Sequence, residues 1–259
     1  MSIAMFDRKA ISSAFGAAAS RYDEHAALQT QVRQQLLRLV ANQWPKGAQI
    51  ADIGGGTGAL AGEKQAQGWQ LTLVDMAYGM CQAAKRTLPH VVNAQAAQLP
   101  FADASMDGLF SSLMLQWVSE PEVVLHECFR IAKPQASMAI STFSSQTLHE
   151  LRSAFAALDA APHVSPFLSA AALQAAAQAA GWRVTHSEQK TDIHYYPDVR
   201  TLMHALKAIG ASNKLTGRKR GLTTQTYMKR LQAAYVSAHA TPQGLPASWD
   251  VLYLVLHKG

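Results

Sequence analysis

The run Ile50-Ala51-Asp52-Ile53-Gly54-Gly55-Gly56-Thr57-Gly58 constrains this chain more than any other stretch. It reads as a short buried strand that carries an acid and then turns through glycines into a following element. Glycine tolerates positive φ and lets a ligand approach the backbone closely. The run therefore predicts a strand end built for ligand contact, and the sequence around it repeats the same strand-then-helix rhythm.

Short strand patterns recur at Gln49 to Ile53, Leu71 to Asp75, Val91 to Ala94, Gly108 to Ser112 and Ser137 to Phe143, with helical patterns at 58–67, 77–87 and 120–132 between most of them. This alternation predicts a doubly wound, mostly parallel α/β sheet covered by helices on both faces. Two later patterns, Trp182 to Gln189 and Val251 to His257, bring the strands to seven. The stretch between those two is too long for a structureless loop, so helices are expected at Thr201 to Ile209 and Thr224 to Ala238. The expected organisation is an N-terminal helical lid over 1–45, a cofactor-binding half over 46–145, and the remaining strands with helical lid insertions over 146–259. The insertions fall at about 146–180 and 191–248, where they would roof a crevice at the carboxyl ends of the strands.

With 259 residues and 49% hydrophobic content the chain can fill a sizeable core. Its apolar runs fall short of a membrane span and its start lacks the order of a secretion signal, so a cytoplasmic protein with no membrane association is expected. Asp7, Asp23 and Glu24 argue against an organelle transit peptide. Cys81 and Cys128 have neither zinc-ligand nor redox spacing, and the scattered histidines offer no metal-ligand pattern. Residues 200–230 hold Arg200, Lys207, Lys214, Arg218, Lys219, Arg220, Lys229 and Arg230 without one acid, so this segment supplies the whole net charge of +6. Such a patch attracts phosphates, nucleic acids or acidic proteins. Nucleic acid is not the expected partner, because Tyr227 is the lone interleaved aromatic and no nucleic-acid module is recognisable.

The glycine run has three readings. As a phosphate loop it fails, since no Gly-Lys-Ser/Thr follows. As a dinucleotide loop it is numerically acceptable through Gly54, Gly56 and Ala59. Asp52 discriminates, because a carboxylate faces a pyrophosphate poorly but suits S-adenosylmethionine, which brings an ammonium and a sulfonium and no phosphate. Asp75, ending the second strand 17 residues after Gly58, is spaced to accept from ribose hydroxyls.

At this point the chain resembles class I methyltransferases, with a Rossmann-like fold, from about residue 48 to 143. Later motifs of that class are matched by Leu99-Pro100-Phe101, Met106-Asp107-Gly108-Leu109-Phe110 and Arg130-Ile131-Ala132-Lys133-Pro134. The resemblance assigns S-adenosyl-L-methionine to Asp52, Gly54, Gly56, Gly58, Asp75, Met76, Gln95, Ala97 and Ser112. Gln95 stands where that class usually has an acid meeting the adenine amine, and Gln135 where a glycine normally follows Lys-Pro.

A narrower resemblance rests on Ala14 to Asp23, Ser112 to Trp117, Phe167 to Ser169 and Leu206 to Ser212. These segments are similar to the malonyl-acyl-carrier-protein O-methyltransferases of biotin synthesis, although Ser112 replaces a common asparagine. The resemblance implies esterification of the free carboxyl of a malonyl thioester on acyl carrier protein. It places Tyr22 in a lid over the cofactor and Gln116 and Trp117 at the edge where the methyl emerges. Arg152 or Lys207 would pair with the substrate carboxylate, and Lys214, Arg218, Lys219 and Arg220 would steer the acidic carrier protein. No catalytic-base motif is evident, which fits a carboxylate acceptor. A quinone-precursor or other small-molecule methyltransferase, a non-catalytic cofactor-binding regulatory module and a dinucleotide oxidoreductase remain as alternative readings.

Overall fold

The structure is a computed structural model that describes residues 6–40, 42–66, 68–208 and 224–259. Seven strands form one sheet: β1 (Gln49–Ile53), β2 (Gln70–Asp75), β3 (Val91–Asn93), β4 (Met106–Ser112), β5 (Ala132–Phe143), β6 (Arg183–Tyr196) and β7 (Leu245–His257). Their spatial order is β3-β2-β1-β4-β5-β7-β6. The first five are parallel, while β7 runs antiparallel to both β5 and β6. The doubly wound, mostly parallel seven-stranded sheet is therefore as expected.

Helices α1 (Arg8–Ala18), α2 (Ala27–Val40), α3 (Tyr78–Ala84), α4 (Pro121–Ile131), α5 (His149–Ala156), α6 (Ala170–Ala179), α7 (Val199–Ala208) and α8 (Gln225–His239) surround it. Local chemistry sets several of their starts. The side chains of Asp7, Ser169 and Thr224 accept from the backbone N–H groups of Ala10, Ala172 and Tyr227 and so cap α1, α6 and α8. Pro121 occupies the first turn of α4, where its missing N–H costs nothing.

Alternation along the strands splits the interior into two layers. One face of the sheet packs Ile50, Leu73, Phe143 and Trp249 against α2, α5, α7 and α8. The other packs Ala51, Ile53, Met138 and Leu254 against α4 and α6. Gly108 is required in the first layer, because a Cβ there would lie 2.3 Å from the Trp44 indole nitrogen, which donates to Ser137 Oγ at 2.9 Å.

Three expectations need correction. The 58–67 stretch is not an α-helix but two short 3-10 turns, Ala59–Gly62 and Lys64–Ala66, bounded by the left-handed Gly58 and Gly68. The insertion at 146–180 is divided: α5 packs on α8 and β7, whereas α6 packs on α4 and β6 in the opposite layer as an ordinary sheet-covering helix. The interval between the last two strands is shorter than 191–248, because β6 runs on to Tyr196 and β7 begins at Leu245. This pair outruns β5, whose last partner is Phe143 against Val251, and projects as a two-stranded ribbon past the carboxyl edge of the parallel strands.

Candidate functional site

The carboxyl ends of β1, β2 and β4 meet at one cavity. Backbone hydrogen bonds from Gly54 (2.7 Å) and Gly55 (3.3 Å) to the Val74 carbonyl draw the glycine turn onto β2. Asp75 completes the tie, accepting from Gly56 N at 3.0 Å through one oxygen and from Ala77 N at 2.7 Å through the other. Gly54 has φ +72 and lies so close to Met114 that a Cβ would sit 2.2 Å from its Cγ. Gly56, at φ +58, faces open space with no atom within 4 Å of a Cβ position. The turn thus leaves a backbone cradle that a side chain would fill.

Asp52 lies beneath this cradle, 4% exposed, on the same face of β1 as Ile50. A Cβ on Gly55 would come within 2.5 Å of its Oδ2. Among the described residues no hydrogen-bond donor reaches its carboxylate. Burial, reinforced by the negative Asp75, pushes it up to about 7, with only Arg33 opposing. Asp75 is raised chiefly by burial, against the two backbone hydrogen bonds it accepts. Two desolvated acids around a glycine turn make a site that favours a cation.

The opposite wall comes from α1, which lays Arg8, Ile11 and Phe15 over the cavity, and from Trp117. Phe6, Phe15 and Trp117 stack edge to face, with ring centroids 6.2 Å and 5.4 Å apart for the two pairs that include Trp117. Ser12 Oγ donates to the Met76 carbonyl, and Thr57 Oγ1 donates to Asp23 at 2.8 Å, pinning the segment after α1 to the glycine turn. Tyr22 lies against Phe15 at the cavity, and burial, then Asp75 and Asp23, push its phenol up to about 12. It therefore remains a protonated hydrogen-bond donor at neutral pH.

Of the residues expected at the site, Tyr22, Trp117, Gly54, Gly56, Asp75, Met76, Gln95, Ala97 and Ser112 line this cavity. Asp52 and Gly58 do not form its wall: Asp52 supports the turn from below, and Gly58 packs toward Ala84 and Leu88. Gln116 is a correction. Its amide nitrogen donates to the Leu113 carbonyl at 2.6 Å and its oxygen accepts from Thr142 Oγ1 at 3.0 Å, so both ends brace the turn after β4 and neither faces the cavity. Arg152 also stands elsewhere, with its guanidinium on the carbonyls of Ser145 (3.0 Å) and Thr147 (2.7 Å). Lys207 is exposed on α7, and Lys214, Arg218, Lys219 and Arg220 lie outside the described residues.

Sequence reasoning did not assign Arg8, Ile11, Phe15, Leu113 or Met114 to the site. Ile11 and Phe15 stand four positions apart, the spacing of one helix face, but that spacing does not reveal what the face covers. Leu113 takes φ +53 without being glycine, a strained backbone at the end of β4 that residue type does not announce.

Comparison with known proteins places the chain in a family. A methyltransferase-domain family matches residues 51–140. The chain is 34% identical over 256 residues to the malonyl-acyl-carrier-protein O-methyltransferase of Serratia marcescens, covering 97% of this chain and 96% of that one. It is 35% identical to the protein of the same name from Xylella fastidiosa, covering 96% and 87%. It is also 36% identical to a bifunctional biotin-biosynthesis protein of Cellvibrio japonicus, of which it spans only 50%. Among solved structures, the YcgJ protein of Bacillus subtilis shares the fold with a TM-score of 0.61 at 15% identity, covering 87% of this chain and 98% of that one. The [4+2]-cyclase SpnF does so with a TM-score of 0.55 at 19% identity, covering 86% and 80%. Since a cyclase shares it, the fold alone does not fix the reaction. Near-full-length identity to proteins of one name does assign the family: the chain belongs to the malonyl-acyl-carrier-protein O-methyltransferases.

Proposed function

We propose that this protein transfers a methyl group from S-adenosyl-L-methionine to the free carboxylate of a malonyl thioester carried on acyl carrier protein, in the early pimeloyl branch of biotin synthesis. The observation that carries this reading is the 34% identity to the Serratia protein over nearly the whole of both chains.

The cavity residues fit the cofactor. The open cradle at Gly56 admits a ligand against the backbone, Asp75 stands at the β2 end where ribose hydroxyls would meet a carboxylate, and Asp52 is a buried carboxyl group that no hydrogen-bond donor among the described residues reaches. When bound, S-adenosylmethionine supplies an activated methyl on a positively charged sulfur. The protein's tasks are then alignment and water exclusion. Ile11, Phe15 and Trp117 close an apolar wall over the cavity, and the Tyr22 phenol holds its proton and can donate it to a carboxylate oxygen. An ionised carboxylate is already nucleophilic at neutral pH, so no general base is required.

Recognition of the carrier protein falls to the basic surface. Among the described residues, Arg200 and Lys207 on α7 and Lys229 and Arg230 on α8 are exposed, flanking the segment that holds Lys214, Arg218, Lys219 and Arg220. Such charges act mainly on the encounter rate with an acidic partner. A methyl-transfer assay offering malonyl-acyl carrier protein beside free malonate, malonyl-coenzyme A and a quinone precursor tests the proposal. Ester should form on the carrier-bound malonyl group, and failure with both thioesters refutes the assignment.

A further inference from the structure

We infer that Arg8, on α1, sets the hydrogen-bonding polarity of the base end of the cofactor cavity by holding the carbonyl of Gln95. This rests on the cofactor reading above. Asp75 marks the ribose end, and the cavity continues past it along Met76 to Gln95 and Ala97, where the base would lie. Arg8 and Gln95 line that end together, and Arg8 Nη1 donates to Gln95 Oε1 at 3.0 Å.

The chemistry of the pair leaves one arrangement. A guanidinium has donors and no acceptor, so it can meet only the oxygen of an amide. With its oxygen taken by a charged donor, Gln95 keeps its NH2 for another partner, and among the described residues that nitrogen has none. The group that Gln95 has left to offer the base edge is therefore a donor. A donor opposite the exocyclic position suits the O6 carbonyl of hypoxanthine and meets the adenine amine poorly. An acceptor at the same place would favour the adenine amine and reject the carbonyl. By occupying the acceptor of Gln95, Arg8 thereby lowers the preference of this end of the site for an exocyclic amine over a carbonyl. Because Arg8 sits on α1, the same contact ties the covering helix to the loop after β3.

The experiment compares S-adenosylhomocysteine with S-inosylhomocysteine by titration calorimetry in three proteins: wild type, Gln95→Glu and Arg8→Ala. Both side chains lie at the surface, and thermal unfolding checks that each variant is folded. A glutamate accepts from Arg8 and from the adenine amine at once, so its preference for the adenine ligand should exceed that of wild type by about tenfold. Arg8→Ala frees the Gln95 amide to turn its oxygen to the amine, and its preference should also exceed that of wild type. An identical adenine-to-hypoxanthine ratio in all three proteins overturns the inference. Absence of binding of either ligand to wild type refutes the cofactor reading itself.

Discussion

Asp52 ties stability to ligand binding through one proton. Its folded value near 7 lies well above the roughly 4 of an unfolded aspartate, so the folded, ligand-free protein holds a proton there that the unfolded chain has lost. Stability therefore falls as pH rises from about 4 to about 7 and is constant in this respect above that. Asp52→Asn removes the dependence: its thermal midpoint should exceed that of wild type by an amount that grows through this window and then levels off. The same variant should bind S-adenosylhomocysteine about tenfold more weakly or worse, because a buried charge partner for the ligand's ammonium is gone. Calorimetry near pH 6.5 in buffers of different ionisation enthalpy should register proton release on binding to wild type and none to the variant. Tyr22→Phe keeps the packing on Phe15 and removes the phenol, so kcat for methyl transfer should fall about tenfold while the cofactor dissociation constant changes little. A parallel fall in cofactor affinity would argue that Tyr22 serves binding alone. The glycine turn and its two acids were legible in the sequence because their spacing has few structural solutions. Gln116 was not, since nothing in a glutamine's identity tells whether Leu113 and Thr142 will occupy its amide. The Arg8–Gln95 pair, formed across 87 positions, leaves no local signal at all.

At the scale of elements, α1 is joined to the rest by a cluster of its own. Phe6 and Ile11, with Phe15, Met76 and Trp117, form an apolar group separate from both main layers of the core. Opening α1 therefore exposes a handful of side chains and leaves the sheet packing intact, which places this helix at the low end of the local stability scale. Its amides should exchange with deuterium much faster than those of β4 or β5, and S-adenosylhomocysteine should slow them selectively. Trp117→Ala should weaken ligand affinity by roughly fivefold or more while lowering the thermal midpoint only slightly. An equally large loss of global stability would show that the cluster belongs to the main core. The parallel strands were legible from their apolar runs, whereas the far halves of β6 and β7 were not. β6 is an edge strand whose residues alternate between partial and full exposure, so it lacks the continuous apolar signal that betrays a buried strand.

Across the whole molecule, charge and fold are distributed differently. The cations of 200–230 exceed the net charge, and the described ones lie on α7 and α8, joined to the sheet through Leu202, Leu206, Leu231 and Tyr235. For a carrier-bound substrate, kcat/KM should decline steeply with ionic strength, while turnover of malonyl-coenzyme A should depend on salt less. Lys207→Glu combined with Arg230→Glu should reproduce most of that decline at low salt. No helix among the described residues is long and apolar enough to cross a membrane. The seven-stranded order carries a temporal consequence as well. β7 leaves the ribosome after both β5 and β6, yet it lies between them and supplies hydrogen bonds to both. A nascent chain therefore waits with the β5 edge open until the stretch from Val251 to His257 has been made, a period in which a chaperone or a second unfinished chain can occupy the vacant place.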